Sequence, residues 1–354
     1  MRVIRTSIAL LVGTLAVLAA ITAYFALGTL MSEPVPLAAA TEHSSLARET
    51  CITCHAPIAE EWRQSFHFQS ATGRFWQRLR ARRFDKLFDV LRVPCMNCHA
   101  PANVLDLSPA DQPVQRMETA ELGVDCVSCH VSEEGILGPG FYTDAPHEVI
   151  PDRRFRDPAT ASVQICGRCH EEAMDHAKTV TAWQSTEFAR AGVTCIHCHM
   201  PEVTAALVAG GPLQMRRSHR FPGDKDIDML RSAVSAVVAL EENGIARVTI
   251  SNDGAGHSVP ASGMNSLIVN VAVHDEAGEI VERIERSYGT REWIPGYLDF
   301  WPFLKVTKIP SGETREIVVE LPSGHGTVAV ELRYRDWPTI TDQDVVFLSL
   351  RELY

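Results

Sequence analysis

Basic residues do not outnumber acidic ones in this 354-residue chain: 33 Lys and Arg stand against 44 Asp and Glu, a formal charge of −11. That balance speaks against nucleic acid or an anionic lipid surface as a partner. Aromatic residues are scarce, at 7%. Little continuous apolar sequence lies between residues 41 and 200, so side chains alone are a poor source of core for that half. Charge is missing from one stretch, because after Arg2 and Arg5 no charged residue appears until Glu33. Cysteine is absent after Cys198, which excludes a disulfide framework for the C-terminal half.

What is present is one phrase used five times, Cys-x-x-Cys-His. It occurs at Cys51/Cys54/His55, Cys95/Cys98/His99, Cys126/Cys129/His130, Cys166/Cys169/His170 and Cys195/Cys198/His199, and uses all ten cysteines. At this composition chance would supply about 0.01 such phrases. Two thiols three residues apart reach the two vinyl groups of one porphyrin, and the following histidine becomes the proximal ligand of its iron. Zinc ribbons need no histidine after every second cysteine, and five pairs would leave one unpartnered. The expected cofactor is therefore five covalently bound c-type haems with their iron. Their macrocycles also account for the shortage of apolar sequence. The motif starts are 44, 31, 40 and 29 residues apart, too irregular for a solenoid. Haems at that density must lie edge to edge, within electron-tunnelling range.

Residues 6–32 are uncharged and mostly apolar. As a helix they would be about 40 Å long, enough to cross a hydrocarbon core of about 30 Å. A retained membrane anchor is the expectation, and cleavage of a signal peptide near Ala40 the alternative. Either way the remainder is exported, in keeping with haem attachment outside the cytoplasmic membrane. The expected organisation is α+β with two domains behind this N-terminal segment (1–40, with its tether). A mainly helical, loop-rich haem domain spans 41–230, and an antiparallel β-sandwich-like domain spans 231–354.

In the haem half, Pro57 suits a first helical turn, Glu60 and Glu61 suit its positive end, and Ile58, Trp62 and Phe66 recur at helical spacing. Residues 131–160 read as irregular loop. The arginines at 74, 78, 80, 82 and 83 read as a solvated helix face, or else as a patch for propionates or an acidic partner. Nine histidines lie outside the proximal positions. His67, placed on the first helix, and His219 and His257, in Gly/Pro-punctuated loops, are candidate distal ligands, followed by His147 and His176. His197 sits inside the fifth motif and cannot easily reach the opposite face of its own iron. His274 and His325 read as strand-end residues, and His43, just after the anchor, reads either as a haem ligand or as exposed. Met96, Met117, Met174 and Met215 stay open as methionine alternatives.

In the C-terminal half, 246–251, 267–274, 315–321 and 327–334 read as strands. Asn243-Gly244, Asp253-Gly254, Ala277-Gly278 and Ser311-Gly312 mark turns. The Gly-rich loop 252–263 is expected to carry His257 toward a haem. Tyr288, Trp293, Tyr297, Phe300, Trp301 and Phe303 read as interdomain packing.

Trp183-Gln-Ser-Thr-Glu-Phe188 followed by Gly192-Val-Thr-Cys-Ile-His-Cys-His-Met-Pro201 resembles the cytochrome c-554-like multihaem family. So do Trp62-x-x-Ser65-x-His67, His219-Arg-Phe-Pro-Gly223 and Gly256-His257-Ser-Val-Pro260. The resemblance covers roughly residues 48–265. It implies a mostly helical domain with stacked haem pairs, exported electron transfer, and distal roles for His67, His219 and His257. A fifth motif and a β-domain depart from the tetrahaem members, so haem order and ligand pairing do not carry over whole. The leading function is electron relay between a membrane or periplasmic donor and an exported acceptor, with redox proteins as partners. An enzyme acting on a small nitrogen or sulfur compound at one five-coordinate haem is the alternative. Pentahaem nitrite reductases place a lysine at the catalytic motif, whereas all five motifs here end in histidine. A gas sensor is the third class, for which five haems are excessive.

Overall fold

The structure, a computed structural model, describes residues 51–73, 77, 95–108, 111–116, 119–140, 147–171, 178–262, 265–289, 307–335 and 344–354. The apolar N-terminal stretch, the arginine run, His43, His176, Met117, Met174 and the aromatic positions 293–303 lie outside these residues. Among the described residues, no helix is long and apolar enough to cross a membrane. Residues Ser45–Tyr354 belong to one compact unit.

Two antiparallel sheets make up the C-terminal part. One has the order β10 (Thr314–Glu320), β7 (Ile245–Ser251), β6 (Ser235–Glu241). The other has the order β12 (Val345–Leu353), β11 (Thr327–Arg335), β8 (Ser266–His274), β9 (Ile280–Gly289). Side chains alternate across a strand, so Ala246, Val248 and Ile250 of β7 and Val328, Val330, Leu332 and Tyr334 of β11 all point inward. They join Leu267, Val269, Val271 and Val273 of β8 in one buried cluster shared by both sheets, a two-layer sandwich. Each buried Val, Leu or Ile among them contributes about 1.5–3 kcal/mol by leaving water. Strands expected at 246–251, 267–274, 315–321 and 327–334 appear within a residue of those bounds; β6, β9 and β12 were not foreseen.

The haem-motif half consists of short helices and two small sheets. The 131–160 stretch is not irregular loop: it holds β1 (Val131–Ser132), β2 (Gly135–Gly138) and β3 (Ile150–Pro151), then helices Arg153–Arg156 and Pro158–Ala161. Strands this short have no readable period, and β2 and β3 pair in parallel across a long connection. A hairpin, β4 (Glu202–Ala206) with β5 (Leu213–Arg217), follows the fifth motif. The first helix, Ala56–Arg63, has Pro57 in its first turn as expected and buries Ala59 and Trp62, but it ends before Phe66. Ser65 caps a separate helix, Phe66–Gln69, and His67 lies on that second helix. Glu60 and Glu61 fall beyond the first turn, and Glu61 serves a different purpose described below.

Candidate functional site: opposed imidazoles at the attachment motifs

Each attachment phrase is a single helical turn. Cys95–His99, Cys126–His130 and Cys195–His199 are five-residue helices. Residues 51–54 are helical, and Cys166 runs from a π turn into Gly167–His170. Positions i and i+3 share a helix face, so both thiols of each phrase point the same way with the histidine close behind. Asp125 caps the third motif through its bond from the Ser128 N–H (3.2 Å). Thr194 caps the fifth, where His197 Nδ1 accepts the Thr194 N–H (3.0 Å). His197 is thus an exposed capping residue.

The motifs lie together. The Cys98 and Cys169 side chains are neighbours, as are those of Cys166 and Cys195. The fourth motif therefore sits between the second and the fifth. Burial pushes the Cys129 thiol up to about 12.

The ten cysteines differ in how far the protein itself covers them. Cys54 is exposed, unlike its half-buried partner Cys51, and Cys198 is exposed as well. The first turn is held at Cys54. Its carbonyl accepts the Ala209 N–H (2.9 Å), and the next residue, His55, is bonded to Leu207 O. The β4–β5 connection thus grips the first motif.

Four motif histidines each face one non-motif histidine. His55 faces His147 at 6.1 Å between ring centres, with ring planes 57° apart. His170 faces His67 at 6.4 Å and 51°, His130 faces His219 at 6.3 Å and 32°, and His199 faces His257 at 6.2 Å and 15°. Two imidazoles on opposite sides of one metal centre, with nitrogens about 2.0–2.1 Å from it and ring centres about 1.1 Å further, lie about 6.2–6.4 Å apart. The separations fit a shared iron at all four places.

The ring orientations fit as well. Among the motif histidines, Nδ1–H of His55 donates to Leu207 O (3.0 Å), His99 to Ser70 O (2.8 Å), His130 to Leu137 O (3.1 Å) and His199 to Pro222 O (2.7 Å). On the opposite side, His147, His219 and His257 donate to Glu148 O, Arg217 O and Ser258 O at 3.3, 3.1 and 3.0 Å. A proton fixed on Nδ1 leaves Nε2 as the metal-binding atom. Burial lowers His67 to about 3 and His219 and His257 to about 4, so these rings stay neutral, as ligation requires. His274 ends β8 and His325 is exposed between β10 and β11.

Several supporting residues were not anticipated. Glu61 accepts from Arg216 (2.7 and 3.0 Å), Ser218 Oγ (3.3 Å) and the His219 N–H (2.8 Å). Burial raises the Glu61 carboxyl, but the Arg216 and His219 hydrogen bonds outweigh it and hold the pKa below its ordinary value. Arg116, buried at 5% exposure, donates to Pro101 O, Thr119 O and Gly123 O as well as to Ser128 and Asp125, tying the second motif's loop to the third motif. Asn252, fully buried, donates to His257 O and Ile309 O, both at 2.8 Å. The loop it holds passes so close to the Ile227–Ala233 helix that a Cβ on Gly254 would lie 1.6 Å from Ser232 O.

One arrangement occurs twice. Trp62 Nε1–H donates to Val124 O, two residues before Cys126, and Trp183 Nε1–H donates to Val193 O, two residues before Cys195, both at 2.8 Å. The Val124 N–H returns to His67 O (2.9 Å) and the Val193 N–H to Phe188 O (2.8 Å). His67 and Phe188 therefore occupy the same position in two copies of one brace. The shared signal, Trp-x-x-Ser/Thr and Gly-Val-x-Cys, was present in the sequence.

These paired imidazoles on repeated attachment turns define a multihaem c-type cytochrome. The family model for cytochrome c554 and c-prime matches residues 50–131. The cytochrome c-type protein TorC of Escherichia coli, in strains K12 and O157:H7, is 26% identical over 156 residues, 43% of this chain. That match spans about a third (33%) of the length of those curated relatives. A penta-haem cytochrome c552 from Thermochromatium tepidum has a similar fold, with TM-score 0.58 and 19% identity over 86% of this chain and 98% of that one. Together these matches support a cytochrome c554-like multihaem family for this chain.

Proposed function

We propose that this chain is an exported pentahaem c-type cytochrome that relays electrons between a membrane or periplasmic donor and an exported acceptor. The observation that carries the reading is the set of four opposed imidazole pairs. Bound c-type haem supplies one-electron chemistry, and two histidines at each of four irons suit carriage rather than substrate binding. In this reading His55, His99, His130, His170 and His199 are proximal ligands, while His147, His219, His67 and His257 are the distal ligands of the first, third, fourth and fifth haems. The ten motif cysteines, the exposed Cys54 included, hold the five groups covalently. The haem-binding region is 41–230, and 231–354 contributes the loop 252–263. The similarity to TorC supports a periplasmic setting and redox-protein partners. The uncharged stretch 6–32 would anchor the chain, or direct its export before cleavage near Ala40.

A pyridine haemochrome assay on protein of known mass is expected to give five haems per chain; three or fewer overturns the architecture. In electron paramagnetic resonance of the oxidised protein the four paired sites are expected to show low-spin iron, and only low-spin signals would support a pure carrier. A high-spin haem that binds nitric oxide would instead favour an oxidoreductase acting on a small nitrogen or sulfur compound.

A further inference from the structure

Residues 219–222 reach three of the paired sites within one short segment. His219 faces His130, and Pro222 O accepts the Nδ1–H of His199 at 2.7 Å. Between them, the Phe221 ring lies 4.4 Å from His67 and 5.9 Å from His219, edge-on to both.

Phe221 holds a left-handed backbone, with φ of +46°. A bulky residue rarely adopts this conformation, and a residue before proline favours extended backbone. The neighbours impose it. Upstream, the His219 N–H is fixed on Glu61 (2.8 Å) and the Arg220 N–H on Ser218 Oγ (3.3 Å); downstream, Pro222 is fixed by His199. Such strain persists only where the surroundings over-determine it. A second observation says what it secures. His147, His219 and His257 are each turned by an Nδ1–H bond to a main-chain carbonyl. Among the described residues His67 has no such bond, and the ring lying closest against it is that of Phe221.

We infer that Phe221 is a positioning residue shared by the His67–His170 and His130–His219 sites. Its ring edge blocks rotation of both distal imidazoles and sets the plane angles at the two sites together. The inference rests on the ligand pairs proposed above. The relative orientation of axial imidazoles governs the magnetic anisotropy of low-spin iron and contributes to its potential. The two sites are therefore tuned by one side chain.

The test uses the haem-loaded full chain carrying Phe221→Gly, which relieves the backbone and removes the ring, beside Phe221→Leu and Phe221→Tyr. Phe221→Gly and Phe221→Leu are expected to shift the g-values and midpoint potentials of two haems, with the His55–His147 haem unmoved; Phe221→Tyr is expected to match the wild type. Signals are assigned with His67→Ala and His219→Ala. If Phe221→Leu, with full haem content, leaves both signals in place, the inference fails. It also fails if all haems shift alike or if Phe221→Tyr behaves as Phe221→Gly. Should His67→Ala leave every wild-type haem low-spin, the ligand pairing itself is wrong.

Discussion

His199 and His257 face each other at 6.2 Å with ring planes only 15° apart, although one ends the fifth attachment turn and the other comes from the loop after β7. The pair joins the haem-motif half to the sandwich. Asn252 holds the His257 carbonyl, and β7 carries Asn252 out of the shared core. Leu332→Ala, deep in that core at 0% exposure, is expected to cost about 2–5 kcal/mol in denaturant unfolding. Asn252→Ala is expected to convert one haem to high spin while the others stay low-spin. An unchanged absorption and resonance spectrum would detach the sandwich from the fifth haem.

The four plane angles carry a spectroscopic expectation. Nearly parallel imidazoles give an ordinary rhombic low-spin signal, and strongly crossed ones give a highly anisotropic signal with a large principal g-value. The His199–His257 pair at 15° should give the rhombic type, and His55–His147 at 57° and His67–His170 at 51° the anisotropic type. The His130–His219 pair, at 32°, should lie between. Four identical rhombic signals in frozen oxidised protein would contradict these geometries.

Glu61 secures the His219 loop by four hydrogen bonds across a part-buried ion pair. Glu61→Gln should destabilise the protein by on the order of 2–3 kcal/mol, less than a fully buried pair would lose because 19% of the carboxylate side chain meets water. The His130–His219 haem should shift in potential before any other. Protein-film voltammetry of the variant would reveal an unshifted set of haems if Glu61 has no such part.

Acid should weaken the haem sites over a defined window. His67, His219 and His257 are held near 3, 4 and 4, below their ordinary 6.5. Between those values the unfolded chain binds more protons than the folded one, so stability falls as pH drops from about 6.5. Each histidine contributes about 1.4 kcal/mol per pH unit, and its contribution stops changing below the folded value. Unfolding midpoints should therefore decline from pH 6.5 to 4; a flat profile would argue against these buried neutral rings.

The parts read easily from sequence are those written locally. The attachment turns are contiguous phrases, and the inner strands β7, β8 and β11 alternate plainly. The unforeseen strands β6, β9 and β12 all lie on sheet edges, and in β9 charge replaces alternation, as in Val281-Glu-Arg-Ile-Glu-Arg286. Ligand pairing is a matter of non-local packing, so it was not written in spacing. His67 faces the fourth motif rather than the nearby first, and the anchoring parts of Glu61, Asn252 and Phe221 depend on partners distant in sequence. The helix break at Ser65 was masked because Trp62 and Phe66 keep helical spacing across it.

The doubled tryptophan brace bears on how separable this chain is. Where the first copy offers His67, the second offers Phe188, and a methyl on Gly256 would come within 3.4 Å of the Phe188 Cβ and 3.2 Å of the Trp183 ring. The second copy has no imidazole to give at that position, and the loop bearing His257 packs directly upon it. The haem-motif half is consequently not a self-sufficient cassette. A chain cut before β6 would keep every attachment turn yet lose the ring facing His199, so the sandwich cannot be exchanged or shed as an accessory without altering the metal centres.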